Sequence, residues 1–526
     1  MRFLILILLA LAGCATAGPP AREQRAAAWW TDVVTLSSDA MEGRLTGTPG
    51  YDRAAAFVVQ RLRALGLEPA GSEGYHQRVE FEEQFLDPGA ARVRLVARGG
   101  GGTMLRVPEE MVVSRRAPLP TRLDAPLVFV GYGLHMPEAG HDDFAGMDLR
   151  GKIAVYVAGG PASVSGALKS HARAERARLL AERGAVGAIG ITPAAQLEAP
   201  WARTAAGATQ SGMYFADPAI RSVPGTFFEA SVDPAQAERL FARSGRRFAE
   251  IAALSDAGGA VPRFELNQWL RGTLAPRTRR LASPNIVARL PGSDPRLAAE
   301  HVVLSAHLDG LGTDNGNGDR IYNGALDNAA GVAALLDIAA ELERTGARPR
   351  RSILFVFVTA EEKGLLGARY FARRPTVPRE SIVADLNYDM ALPLYPLTGI
   401  IVVGAEESGI GAEAAAVARA IGLPLVPDPF PNRNAFTRSD QYAFIEQGIP
   451  AAAFKFGFAA GTAEAETERA WRATHYHSTS DDGSQPVFRE DEIRLHDFIA
   501  ALTLRIANAE TRPRWHDTSF FRRFAR

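Results

Sequence analysis

The sequence predicts an α/β protein: a doubly wound, mostly parallel sheet with helices on both faces. Three observations lead there. From Asn285 onward, short apolar runs alternate with amphipathic stretches, the pattern of strands and helices layered around a parallel sheet. One run, Ile353 to Val358, is apolar throughout, which suits a strand buried on both faces. Imidazole and carboxylate side chains follow directly on several predicted strands, where doubly wound sheets place their ligand sites.

The elements can be read in order. Arg2 followed by the apolar run Phe3 to Leu11 is a targeting segment, too short to span a bilayer. Leu11-Ala12-Gly13-Cys14 resembles the lipobox of bacterial lipoproteins. That resemblance implies removal of residues 1–13, lipid on Cys14 and residence in the cell envelope. Ordinary secretion, with cleavage after Ala15-Thr16-Ala17, is the alternative. Cys14 is the only cysteine, so no intramolecular disulfide can form. After a short linker, helices are expected over 25–36 and 51–67, the second with Ala54, Val58, Leu62 and Leu65 on one face. Residues 25–117 are assigned to the first part of the main domain.

A change of character at about Pro118 opens a second unit, placed at 118–275. It contains the short apolar strands Ala125–Val130, Lys152–Val157 and Ala185–Ile191, and a charged helix over 171–183. The run H-D-D-F-A-G-M-D-L-R-G-K-I-A-V-Y-V, His141 to Val157, with the G-A-V-G-A-I-G-I that follows the helix, resembles the protease-associated domain. This small α/β insertion occurs in several exopeptidases and receptors. The main domain resumes over 283–508. Val302–Ala306, Ile353–Val358, Ile382–Leu386, Ile400–Val403 and Ala451–Phe456 are its expected strands. Helices are expected over 329–342 and 491–507. The tail, 509–526, is basic and aromatic and has no assignment.

Composition narrows the function classes. With 526 residues, 47% hydrophobic and 22% charged, the chain has the make-up of a soluble protein of two or three domains. A formal net charge of +0 gives no support to a nucleic-acid partner, which needs a basic excess. Contact with a membrane is expected only through lipid on Cys14.

The chemistry concentrates in the second half. His307 lies in S-A-H-L-D-G, Asp327 in N-G-A-L-D-N-A-A-G, Glu361 and Glu362 in V-T-A-E-E-K-G, Asp389 in N-Y-D-M, and His477 in H-Y-H-S-T-S-D-D. Imidazole and carboxylate are the usual ligands of catalytic zinc. Asp309 lies two residues after His307, on the same side of an extended chain, and could accept that imidazole's second N–H. Asp327 at a helix start could instead be an N-cap. His475 competes with His477 for one role. If Glu362 binds metal, Glu361 points elsewhere and can move protons.

Together, H-L-D, I-Y-N-G-A-L-D-N-A-A-G, T-A-E-E-K-G-L-L-G-A-R-Y-F, N-Y-D-M, R-S-D-Q-Y-A-F and Y-H-S-T-S-D-D resemble the zinc-dependent exopeptidases. That family takes in bacterial leucyl-type aminopeptidases and glutamate carboxypeptidases. The resemblance covers nearly all of 285–505. It implies two zinc ions per chain, other divalent metals being possible. His307 and Asp389 would hold one ion, Glu362 and His477 the other, and Asp327 would bridge them, followed by a cis peptide to Asn328. The ions, about 3.5–4 Å apart, would hold and acidify a water, and Glu361 would be its general base. Gly310 and Gln441 stand where many relatives have histidine. The function implied is an exported metallo-aminopeptidase acting on peptides. A carboxypeptidase or dipeptidase on the same scaffold is the nearest alternative, with Arg433 and Arg438 as possible carboxylate binders. Glutaminyl cyclisation and a non-catalytic binding role, as in the transferrin receptor ectodomain, stand further off.

Overall fold

The computed structural model describes residues 21–525, except 98–99, 198–199, 209, 315–317, 431–432 and 434. The leader, the Leu11–Cys14 segment and both expected cleavage points lie outside the described residues. Among the described residues no helix is long and apolar enough to cross a membrane.

The main sheet has nine strands among the described residues: β1 (Glu68–Pro69), β2 (His76–Leu86), β3 (Gly212–Phe215), β4 (Pro276–Leu290), β5 (His301–His307), β6 (Ser352–Val358), β7 (Ile382–Asn387), β8 (Ile400–Val403) and β9 (Ala451–Phe456). Their order is β3-β2-β4-β6-β5-β7-β9-β8, with β1 on β4. The centre is parallel, β6 to β5 to β7 to β9. Both flanks are antiparallel.

Each central strand is buried along its whole length, and its side chains divide between two cores. Val302, Leu304, Ala306, Phe355 and Phe357 face one core, with the helices Ala21–Leu36, Pro49–Ala64, Ala330–Arg344 and Arg489–Asn508. Val303, Leu354, Val356 and Val358 face the other, with the helices Leu366–Arg373 and Gln441–Ile445. Period-2 alternation into two apolar layers is the cause of the doubly wound architecture.

The first helix begins at Ala21, earlier than the expected 25. It is tied down by charge. Arg25 donates to the Asp337 carboxylate from Nε at 3.1 Å and Nη2 at 2.7 Å, and His496 Nδ1 lies 2.9 Å from the same carboxylate. Burial pulls the His496 imidazole down, but the carboxylates of Asp337 and Glu492 outweigh it and lift it to about 9.

A second sheet of eight strands, among the described residues, runs in the order 102–105, 92–97, 264–273, 122–129, 153–157, 187–191, 228–232, 111–113. The sequence placed the change of unit near 118, yet three strands before that point pair here. Conversely β3, from within 118–275, pairs with β2 in the main sheet. Short strands carry no local mark of which sheet they join, because that depends on partners far away in sequence. The tail is packed: Trp515 and Phe521 are buried, and the Phe521 ring lies 5.1 Å from that of Phe436.

Candidate metal centre and cleft

The site lies at the carboxyl ends of the parallel strands. β5 ends on His307, β6 leads through Thr359 and Ala360 to Glu361 and Glu362, and β7 leads through Tyr388 to Asp389. Asp327 lies just before the helix Ala330–Arg344, and its peptide to Asn328 is cis. His477 follows the helix Ala463–Thr474 at φ 53, a left-handed conformation that only the surrounding packing makes acceptable.

Asp327 is the hub. His307 Nε2 lies 3.3 Å from its Oδ1, and His477 Nε2 lies 3.3 Å from its Oδ2. Asp389 Oδ1 stands 3.6 Å from His307 Nε2, and Glu362 Oε2 stands 3.3 Å from His477 Nε2. Two three-residue clusters share Asp327: His307, Asp327 and Asp389, and Asp327, Glu362 and His477. Within each, one donor atom per residue lies within 4.8 Å of the others. The helix cap that Asp327 could have supplied comes from Asn328, whose Oδ1 accepts the Gly331 N–H at 3.1 Å. His475 turns away and stacks on Trp471.

The donor set fits two divalent cations. Two imidazoles and three carboxylates converge in a partly buried space, the ligand chemistry of zinc. Asp389 Oδ1 is buried and accepts no hydrogen bond from any described group. The charges respond to this crowding. Burial pulls His477 down, but Glu362 and Asp327 lift it to about 9. Burial pushes Asp327 up, but hydrogen bonds from His307 and His477 hold it well below the usual carboxylate range. Burial lifts Glu362 to about 7 and Glu361 well above its ordinary value.

The supporting residues explain the geometry. Asp309 was expected to face the His307 imidazole with its carboxylate. Instead His307 Nδ1 is 3.2 Å from the Asp309 backbone carbonyl, and the carboxylate is farther off at 3.9 Å. That carboxylate accepts the backbone N–H groups of Glu361 at 3.0 Å and Glu362 at 3.3 Å, so it shapes the turn that separates the two acids.

Asp481 was not anticipated. Its oxygens accept the N–H groups of Leu326 and Asp327, each at 3.0 Å, and the Gln485 amide at 2.6 Å. Arg44, fully buried, donates to the carbonyls of Leu308, Leu36, Asn323 and Gly324 at 2.7–3.0 Å. It fastens the His307 and Asp327 segments to the N-terminal region. Asp481 sits in the His477 motif and could have been suspected, whereas nothing local marks Arg44.

The two departures from the resembling pattern have structural reasons. A Cβ at Gly310 would lie 2.8 Å from the Gly43 carbonyl oxygen. The Gln441 side chain is buried, accepting from Asn387 Nδ2 at 2.8 Å and donating to the Ala435 carbonyl at 2.9 Å. It is part of the scaffold under Asp389.

The cluster opens into a cleft of about 820 Å³ lined by Glu361, Glu362, Asp389, His477, Arg433 and Arg438 among others. The second unit closes part of it through the helix Trp201–Gly207 and Arg116. A second cleft, about 1180 Å³, lies at the amino ends of the same strands, and none of the metal-cluster residues lines it.

Comparison with known proteins converges on one family. Residues 285–516 match the model of Peptidase family M28. Leupeptin-inactivating enzyme 1 of Streptomyces exfoliatus is 32% identical over 107 residues, 20% of this chain and 22% of that protein. A probable leucine aminopeptidase 2 of Aspergillus fumigatus is 30% identical over 221 residues, 39% of this chain and 40% of that one. The chain thus spans less than half the length of these curated relatives. Among solved structures, an aminopeptidase from Aneurinibacillus sp. strain AM-1 superposes with a TM-score of 0.54 at 18% identity, covering 93% of this chain and 94% of that one. That likeness is one of fold.

Proposed function

We propose, from the match of residues 285–516 to the model of Peptidase family M28, that the chain is a two-zinc aminopeptidase removing N-terminal residues from peptides. The observation that carries the reading is the bifacial Asp327, with each carboxylate oxygen 3.3 Å from a different imidazole and a further acid beside each pair. His307, Asp389 and Asp327 would hold one zinc, and Asp327, Glu362 and His477 the other. Zinc bound there supplies Lewis-acid polarisation of the scissile carbonyl and acidification of a water.

The chain's own residues do the rest. The turn held by Asp309 sends Glu362 toward Asp327 and leaves Glu361 on the cleft wall. There Glu361 takes a proton from the attacking water and delivers it to the leaving amine. Burial raises its proton affinity, His307 lowers it and the acids Glu362, Asp440 and Asp389 raise it further, so it lies well above an ordinary carboxylate, the direction a general base needs. The aminopeptidase choice rests on the named relatives. Export, and anchoring by lipid on Cys14, belong to the same proposal and rest on the leader sequence alone.

The test is mass spectrometry of a defined peptide mixture, each sequence free and N-acetylated, with and without a chelator, alongside metal analysis. Ladders from free N-termini only, abolished by the chelator, with about two zinc per chain, are the expected result. Shortening from the C-terminus, indifferent to acetylation, would overturn it.

A further inference from the structure

The wall of the cleft facing the metal cluster is built of aromatic side chains around one lysine. In β9 the side chain of Phe454 enters the core, while Ala453, Lys455 and Phe456 line the cleft. Tyr395, Phe430 and Phe458 line the same wall, with ring centroids 5.8–6.0 Å apart. Lys455 is half-buried there. Its Nζ donates to the carbonyl of Met390, the residue after Asp389, at 3.3 Å. Among the described residues no carboxylate stands within ion-pair distance of it.

Its neighbours differ. Glu468 is buried and held by two arginines: Arg433 Nη1 donates to both its oxygens at 3.0 and 3.1 Å, and Arg472 pairs with it as well. An ammonium in an apolar recess with one neutral partner is costly, and lysine is rarely buried without an acid beside it. Burial and Arg472 draw Lys455 down to about 8, against the longer-range pull of Asp389, Glu468 and Asp428, so it is still mostly charged at neutral pH. Metal-site acids aside, seven arginine and lysine side chains line the cleft against two acids, Asp428 and Glu468. Two divalent ions would neutralise Asp327, Glu361, Glu362 and Asp389, leaving that wall strongly positive.

We propose that Lys455 is a specificity-determining residue that binds a substrate carboxylate, making this cleft selective for peptides with an acidic group next to the scissile bond. The inference rests on the peptidase reading and names its substrate class. The carboxylate can be the side chain of an N-terminal glutamate or aspartate, or the α-carboxylate of a dipeptide. Either would give the ammonium a charge-assisted hydrogen bond within an apolar slot.

The zinc-loaded full-length protein is assayed on Glu-Ala-amide, Gln-Ala-amide and Gln-Ala, and calorimetry measures glutamate, glutamine and glutaminamide binding. Lys455→Met and Lys455→Gln are compared with wild type, with melting temperature and zinc content as folding controls. Expected is a preference of about tenfold or more for Glu-Ala-amide over Gln-Ala-amide, the scale of a charge-assisted bond. Both variants should reduce that ratio to near one. A preference for Gln-Ala over its amide, lost in the same variants, would place the α-carboxylate on Lys455 instead. Indifference of the wild type to both carboxylates overturns the proposal, as does a selectivity that survives in the variants. The binding arm decides even if no peptide is cleaved. Glutamate binding that depends on Lys455, without hydrolysis, would sink the peptidase reading and leave the carboxylate site standing.

Discussion

Replacing Asp481 by asparagine should weaken zinc binding while barely altering the stability of the metal-free fold. Asp481 never enters the metal cluster; it holds the backbone of Leu326 and Asp327 from behind. Two opposing quantities set the metal-free result. Burial lifts its carboxyl from 3.8 to about 6, against the amides that donate to it, so keeping it ionised at pH 7 costs the fold about 3 kcal/mol, which asparagine recovers. Asparagine, however, presents one acceptor oxygen where the carboxylate serves three donors. Losing a charge-assisted bond and stranding a buried donor costs about 1.5–3 kcal/mol. The terms nearly cancel, and urea melts of the metal-free variant should fall within about 1–2 kcal/mol of wild type. Zinc affinity has no such offset, because the Asp327 peptide loses its anchor. Removal of an outer support of this kind lowers metal affinity about 10- to 100-fold. Chelator-competition titrations at pH 7 read this directly. Wild-type zinc affinity in the Asp481→Asn protein would refute the positioning role. Collapse of the metal-free fold would refute the cancellation.

Other expectations follow from the same geometry. Glu361→Gln should keep both zinc ions and its melting temperature but lose about 100- to 10,000-fold in kcat, read from peptide hydrolysis beside metal analysis. Arg44→Lys should cost about 2–4 kcal/mol in urea melts, since an ammonium cannot span the four carbonyls the guanidinium reaches. His496 has its folded value raised to about 9 from 6.5, so its contribution is complete below pH 6.5 and is lost as pH rises through 9. That amounts to about 3 kcal/mol. Denaturant melts at pH 6.5 and 9.5 should show the fall, and His496→Gln should flatten it.

Much of the site was legible because its parts sit in short, chemically dense motifs. A lone carboxylate after an apolar strand is ambiguous, but His307, Asp327, Glu362, Asp389 and His477 taken together leave few other uses. The strands carrying them were legible for a related reason: burial on both faces makes β6 an apolar run from Ile353 to Val358 and leaves β5 and β7 mostly apolar, with 302–304 and 382–384 unbroken. What escaped depends on distance. Arg44 acts on Leu308, 264 positions away, and no periodicity connects them. The role of Asp309 turns on which backbone amides the β6 turn presents, a matter of tertiary geometry. Strands 92–97 and 111–113 have no feature of their own that selects the second sheet. In Ala451–Phe456 the sequence shows a strand, but not that Lys455 faces a cleft, since burial on either side looks alike until the neighbouring strands are placed.

The path of the chain through β3 bears on modularity. Between two excursions into the second sheet, residues 212–215 return to form the outermost strand of the main sheet on β2, and Lys363, next to Glu362, donates to the Ser211 carbonyl at 3.2 Å. The smaller unit is therefore woven into the larger and cannot be lifted out like a cassette. A truncation joining the chain across 118–275 would expose the edge of β2, strip Lys363 of an anchor beside a ligand and open one side of the cleft together. Engineering a wider entrance for longer substrates is better directed at the Trp201–Gly207 helix, with the β3 crossing left in place.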